Sequence, residues 1–153
     1  MSDTRPHQAR SKGITLIDGL PDTFQTQAFA VDETGKVVVG QSGGFFDQAG
    51  IIWTPALGSM RIEEFLRSQG VYIDPSVALY GPNTMSADGR RIAGNAFSNN
   101  GGFGWYVDLK KIQMCHAPDD PAKRRTVAVS FPVGMDKHLG HGDVLGACER
   151  LKW

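Results

Sequence analysis

The chain has 153 residues, 41% of them hydrophobic, with 19 glycines and eight prolines. That is one domain's length, with enough apolar side chain for a core and a composition suited to frequent turns rather than long helices. Sixteen basic residues balance sixteen acidic ones, which argues against a nucleic-acid binder, and no apolar run approaches the ~18 residues needed to span a bilayer.

Residues 1–12 are polar and read as a disordered tail. They lack the apolar middle of a signal peptide, which taken literally means a cytosolic protein. A first repeat begins at Gly13. Ala28 to Val31 suits a strand, Glu33-Thr34-Gly35 a turn, and the β-branched run Val37-Val38-Val39 a second strand. Gly50 to Thr54 is the next strand, ended by Pro55. Ile62, Phe65 and Leu66 then stand at i, i+3, i+4 with Glu63, Glu64 and Arg67 opposite. This spacing predicts one short amphipathic helix over 60–69, with Ser59 as its cap, Gly70 as its end and the two glutamates on a solvated face.

Residues 72–82 read as a connection holding two prolines. A hairpin at Asp88-Gly89 follows, since both positions tolerate positive φ. Residues 103–109 form a strand with a polar exit at Lys110-Lys111, and composition shifts there. The basic runs Lys110-Lys111 and Lys123-Arg124-Arg125 read as solvated faces.

Residues 31–40 return as 85–94, 54 positions on, and Trp53 returns as Trp105, 52 positions on. The expected fold is therefore mainly β. Two antiparallel β-blade repeats (about 13–71 and 72–109) form an incomplete propeller-like array with one short helix, and 110–153 is a small appended β unit. One such blade cannot hide its apolar face alone, and two do not close a propeller. Either more repeats lie in a longer chain, or copies associate, or the appended unit covers the open edge.

The repeat resembles the bacterial extracellular repeats of the HAF family, through Met85-Ser86-Ala87-Asp88-Gly89, Ile92 and Gly94. The first copy departs from that pattern, with Thr34 for the turn aspartate and Gly50-Ile51-Ile52 before Trp53. The resemblance covers about 13–109 and implies a secreted or cell-surface β-rich protein with no established catalytic activity. Asp88 stands without the Asp-x-Asp spacing of a calcium loop and reads as a turn residue.

Both cysteines and three of the four histidines fall between Cys115 and Cys148. The stretch Cys115-His116-Ala117-Pro118, Thr126 to Val129, His138-Leu139-Gly140-His141-Gly142-Asp143 and Cys148 resembles a module found at the ends of secreted bacterial proteins. Several readings of these residues stand side by side. Cys115 and Cys148 form a disulfide, worth roughly 3–4 kcal/mol in the chain-entropy model. His116, His138 and His141 bind zinc or copper, with Asp143 orienting a ring or giving an oxygen. Four of these cysteine and histidine residues together form a cytosolic zinc site, although the spacing lacks paired Cys-x₂-Cys or His-x₃₋₅-His. A Cys115–His116 catalytic pair is a further reading, although adjacency in sequence does not place the ring on the sulfur and no oxyanion-binding loop is evident. No acid–base pair is evident among Glu63, Glu64, Asp88 and Asp143.

The functional expectation is a non-catalytic extracellular β-repeat module that binds an unknown protein or glycan. The alternative is a small zinc- or copper-binding module carried on that scaffold.

Overall fold

The computed structural model describes residues 13–150; the tail expected over 1–12 lies outside them. The chain is mainly β, with three antiparallel sheets and no closed barrel. The first sheet holds β1 (Gln25–Val31), β2 (Val38–Gly43), β3 (Gln48–Thr54) and β4 (Gly58–Arg61) in that order. Helix α1 (Ile62–Ser68) leads to a sheet of β5 (Ala78–Met85), β6 (Arg91–Ser98) and β7 (Gly101–Asp108). In the third sheet β8 (Lys111–His116) lies between β9 (Arg125–Ser130) and β10 (Val144–Leu145), and helix α2 (Val133–Gly140) joins those two outer strands.

The repeat is visible in local chemistry. Both turns close a four-residue reversal, with the Gly35 N–H donating to the Asp32 carbonyl at 3.1 Å and Gly89 to Ser86 at 2.8 Å. Only the glycines have positive φ, 71° and 73°. Asp88 does not, so the hairpin is not the two-residue form expected from Asp88-Gly89. Hydroxyl and carboxylate trade places between the copies. In the first, the Asp32 carboxylate accepts from the Thr34 hydroxyl at 2.6 Å and from the Lys36 and Val37 N–H groups at 2.9 Å. In the second, the Ser86 hydroxyl donates to Asp88 at 2.6 Å and accepts from the Arg91 N–H at 3.0 Å. Both copies also slip register at an equivalent place, between Ala28 and Ala30 in β1 and between Pro82 and Thr84 in β5, and β5 has a second slip between Leu79 and Gly81.

The two sheets stack in the same sense, one behind the other. Val37, Val39 and Ile52 on one face of the first sheet share a core with Ile92 and Ala96 of the second. The repeat equates Ile92 with Val38, on the opposite face of the first sheet. There Ile51 is covered by Leu20 of the N-terminal segment, whose N–H donates to Ser42 Oγ at 3.1 Å. Strand register also corrects the tryptophan alignment. Val38 pairs with Trp53, whereas its equivalent Ile92 pairs with Val107. Trp53 therefore corresponds to Val107, and Trp105 to Ile51.

The third sheet joins this core through Leu109, Ile112, Met114, Phe131 and Met135, beside Ile62, Phe65 and Leu66 of α1. Glycine at 50 allows the first sheet to approach β5: a Cβ there would lie 2.6 Å from the Leu79 carbonyl oxygen.

Several local expectations are revised. Ser59 lies in β4, where its hydroxyl donates to the Asp18 carbonyl, and α1 begins later than expected, without a side-chain cap. Glu63 is not simply solvated: its carboxylate accepts the Leu79 N–H at 2.7 Å and joins α1 to the start of β5. The expected connection 72–82 is strand from Ala78 onward. A second helix, α2, is present where one was expected in all. Gly70 does end α1, with φ 79° and its N–H on the Arg67 carbonyl at 2.9 Å.

Candidate metal centre

The C-terminal motif is first of all a helix ending. His141 is the C-cap of α2 and Gly142 follows with φ 88°. The Gly142 N–H donates to the Leu139 carbonyl at 3.1 Å, and the Asp143 N–H reaches back to the His138 carbonyl at 3.1 Å. This pair of bonds is the Schellman closure, which glycine favours because it alone takes positive φ without Cβ strain. The consequence is chemical: the chain doubles back and sets the Asp143 carboxylate against the His138 ring.

Strand β8 supplies the other side. Cys115 pairs with Val144 across the ladder, so the residue after Cys115 meets the residue before Val144. His116 Nδ1 lies 2.9 Å from Asp143 Oδ2, and His138 Nδ1 lies 2.6 Å from the same oxygen. The Ala117 N–H donates to the other oxygen, Oδ1, at 3.1 Å, and Ala117 holds φ 48°. The two rings stand nearly perpendicular, centroids 6.0 Å apart.

Asp143 is only 5% exposed, whereas both rings are half-buried. Burial pushes the Asp143 carboxyl up. The hydrogen bonds from His116, His138 and the Ala117 N–H outweigh it and hold the group down at about 2. Asp143 is therefore ionised across the physiological range and acts as an acceptor only.

His116, His138 and Asp143 each offer a ligand atom within 4.8 Å of the others, a group that can hold a metal ion. His141 is not brought into it. It lines the same recess, of about 460 Å³, with His116, Ala117, Lys137, His138 and Asp143. The i, i+3 spacing of His138 and His141 is expected to bring the two rings together on a turn or helix; His141 is the C-cap of α2, its N–H on the His138 carbonyl at 3.0 Å, and its ring lies outside the cluster.

The Cys115 and Cys148 sulfurs are bonded, with S–S 2.07 Å and Cα–Cα 4.7 Å. Neither is available as a nucleophile or a metal ligand. Adjacent side chains of β8 part as an extended strand requires, sulfur to Cys148 and imidazole to Asp143. A tie missed in the sequence holds α2 in place: the buried Thr54 hydroxyl donates to the Asp136 carboxylate at 2.7 Å. Nothing in the separate segments announces that bond. Ala117 and Lys137 were also unforeseen, and only the Pro118 beside Ala117 hinted at unusual backbone.

Among the described residues no helix is long and apolar enough to cross a membrane. Compared with family models, curated proteins and solved structures, the chain finds no match in any of the three.

Proposed function

We propose that this protein is a non-catalytic extracellular β-repeat protein whose terminal module binds a divalent transition-metal ion, zinc or copper. The observation that carries the reading is the convergence of two imidazoles from different elements on one buried carboxylate at the floor of an open recess. Both ring Nδ1 atoms lie within 2.9 Å of Asp143 Oδ2, and one ligand atom from each of the three residues lies within 4.8 Å of the others, close enough to share one ion. A carboxylate beside histidine ligands orients their rings or gives an oxygen to the ion itself. Imidazole suits zinc and copper better than magnesium or calcium, which favour all-oxygen sites. The disulfide and the likeness to secreted repeat families support an oxidising, extracellular or cell-surface setting.

The competing reading is structural. Asp143 Oδ1 also takes the Ala117 N–H, so the carboxylate bolts β8 to the end of α2 with or without an ion. Calorimetry with Zn²⁺ and Cu²⁺ on disulfide-intact protein separates the two. The metal reading expects micromolar or tighter binding of at least one ion, lost in the His116→Ala/His138→Ala variant. No heat from either ion at micromolar protein leaves the structural role alone.

A second activity is favoured by the repeats themselves. Phe45, Phe46, Tyr80 and Phe97, with Gln48, line a shallow cleft between the first two sheets, and Phe46 is fully exposed. Exposed aromatic clusters mark partner surfaces, for a protein or a glycan. Retention on immobilised polysaccharide, abolished by Phe46→Ala with Phe97→Ala, tests the glycan form of this reading.

A further inference from the structure

Resting on the metal reading, we propose that the bound ion is coordinatively open and takes a small carboxylate anion as an external ligand, with Lys137 beside it. The donor count leads there. Asp143 has both oxygens occupied: Oδ2 by two ring Nδ1 atoms, Oδ1 by the Ala117 N–H. The ligand atoms that converge within 4.8 Å of one another are two imidazole nitrogens, of His116 and His138, and one oxygen of Asp143, while His141 stands outside the group at the recess wall. The nearby cysteines are bonded to each other and add nothing.

Three protein donors leave at least one position of a four-coordinate ion for a ligand from solution. A structural zinc site, by contrast, is closed by four protein ligands. The recess is also of the right size and charge. About 460 Å³ is room for several non-hydrogen atoms beyond the ion. Its lining carries one carboxylate, Asp143, and one ammonium, Lys137, so a divalent ion brings the local charge to about +2. Among the described residues Lys137 takes part in no ion pair, unlike Lys110 and Lys123. A carboxylate satisfies both needs, giving an oxygen to the ion and facing the ammonium.

Cobalt substitution tests this. Co²⁺ is added to the full, disulfide-intact chain in non-coordinating buffer, and the visible d–d bands are followed during titration with sodium acetate. Sodium perchlorate at equal ionic strength is the control. The expected result is a saturable acetate-dependent band shift that perchlorate does not produce. Lys137→Ala is expected to weaken acetate about two- to fivefold, the size of an exposed charge interaction, while Lys123→Ala leaves it unchanged. A Co²⁺ spectrum that acetate does not alter overturns the open-site proposal while leaving metal binding standing. An acetate response equal in Lys137→Ala and wild type removes Lys137 from it. Absence of any Co²⁺ spectrum, with no heat from Zn²⁺ or Cu²⁺, overturns the metal reading beneath.

Discussion

Replacing Asp143 by asparagine is the most informative single perturbation, because the carboxylate is buried and every polar contact it makes is known. Its folded-state pKa is held down at about 2 against 3.8 for the free side chain. At about 1.4 kcal/mol for each pH unit this is a linkage contribution of about 2 kcal/mol. The sign follows from the depressed folded value. The contribution is fully present above pH 4, declines as the pH falls toward 2, and is gone below the folded value. Asparagine keeps one acceptor oxygen and the side-chain shape but cannot titrate. Urea unfolding of wild type and Asp143→Asn, disulfide intact, is measured at pH 6, 4, 3 and 2. Wild type is expected to be more stable by about 2 kcal/mol at pH 6, with the gap closing by pH 2. Parallel stability profiles over that range would refute the reasoning, since they would mean that Asp143 has the same pKa folded and unfolded.

Two turn glycines with the same φ separate steric contact from backbone strain. A Cβ at Gly89 would lie 3.2 Å from Asp32 Cβ and Val37 Cγ2, whereas one at Gly35 meets nothing within 4 Å. Gly35→Ala is expected to cost about 1 kcal/mol for the left-handed backbone alone, and Gly89→Ala clearly more, both read from denaturant midpoints. Reducing the Cys115–Cys148 bridge, which spans 33 residues, is expected to cost about 3–4 kcal/mol, seen as a lower thermal midpoint in dithiothreitol. Ile52→Ala, at a fully buried core position, is expected to cost about 2–5 kcal/mol. Tyr106→Ala, at the equivalent position of the second repeat and 77% exposed, is expected to change stability by under about 0.5 kcal/mol.

What was legible in the sequence was local. The two turns could be read because glycine, aspartate, serine and threonine impose their conformation within four residues. Strands β2 and β3 showed in Val37-Val38-Val39 and Gly50–Thr54, and the crowding of cysteine and histidine marked the site. Features that depend on distant partners stayed hidden. Helix α2 contains Val133, Gly134 and Gly140, all poor helix formers. It stands because Met135 is buried and Asp136 is tied to Thr54. Strand β4, Gly58–Arg61, has no apolar alternation and exists by pairing with β3. The tryptophans misled the repeat alignment by two residues, because the identical residue types outweighed the register that only strand pairing defines. His141 was grouped with His138 by their i, i+3 spacing, and only the arrangement of the rings in space leaves it out of the cluster.

The outward side of the second sheet differs in chemistry from the face through which the first sheet receives its neighbour. The face through which the first sheet receives its neighbour carries Val37, Val39 and Ile52. The repeat turns those positions into Arg91, Ala93 and Tyr106, which face outward, and Arg91 pairs with Asp108 at 3.4 Å. That outward side is mixed, with the exposed Tyr106 beside the Arg91–Asp108 pair. The apolar side of the core left over beyond the two sheets is taken by β8, β9 and α2 instead, and this is where the histidines lie. His116 is at the end of a strand whose Ile112 and Met114 are fully buried, and His138 is two residues beyond the Asp136 that Thr54 holds from 82 positions away. The recess is thus built where one imidazole is held by the third sheet and the other by a helix bonded to the first repeat through Thr54 and Asp136. Preorganisation of that kind lowers the ordering cost of binding. A carboxylate that only joined β8 to α2 would need no recess beside the rings, and the recess lined by His116, His138, His141 and Asp143 is what the structural reading leaves without a use.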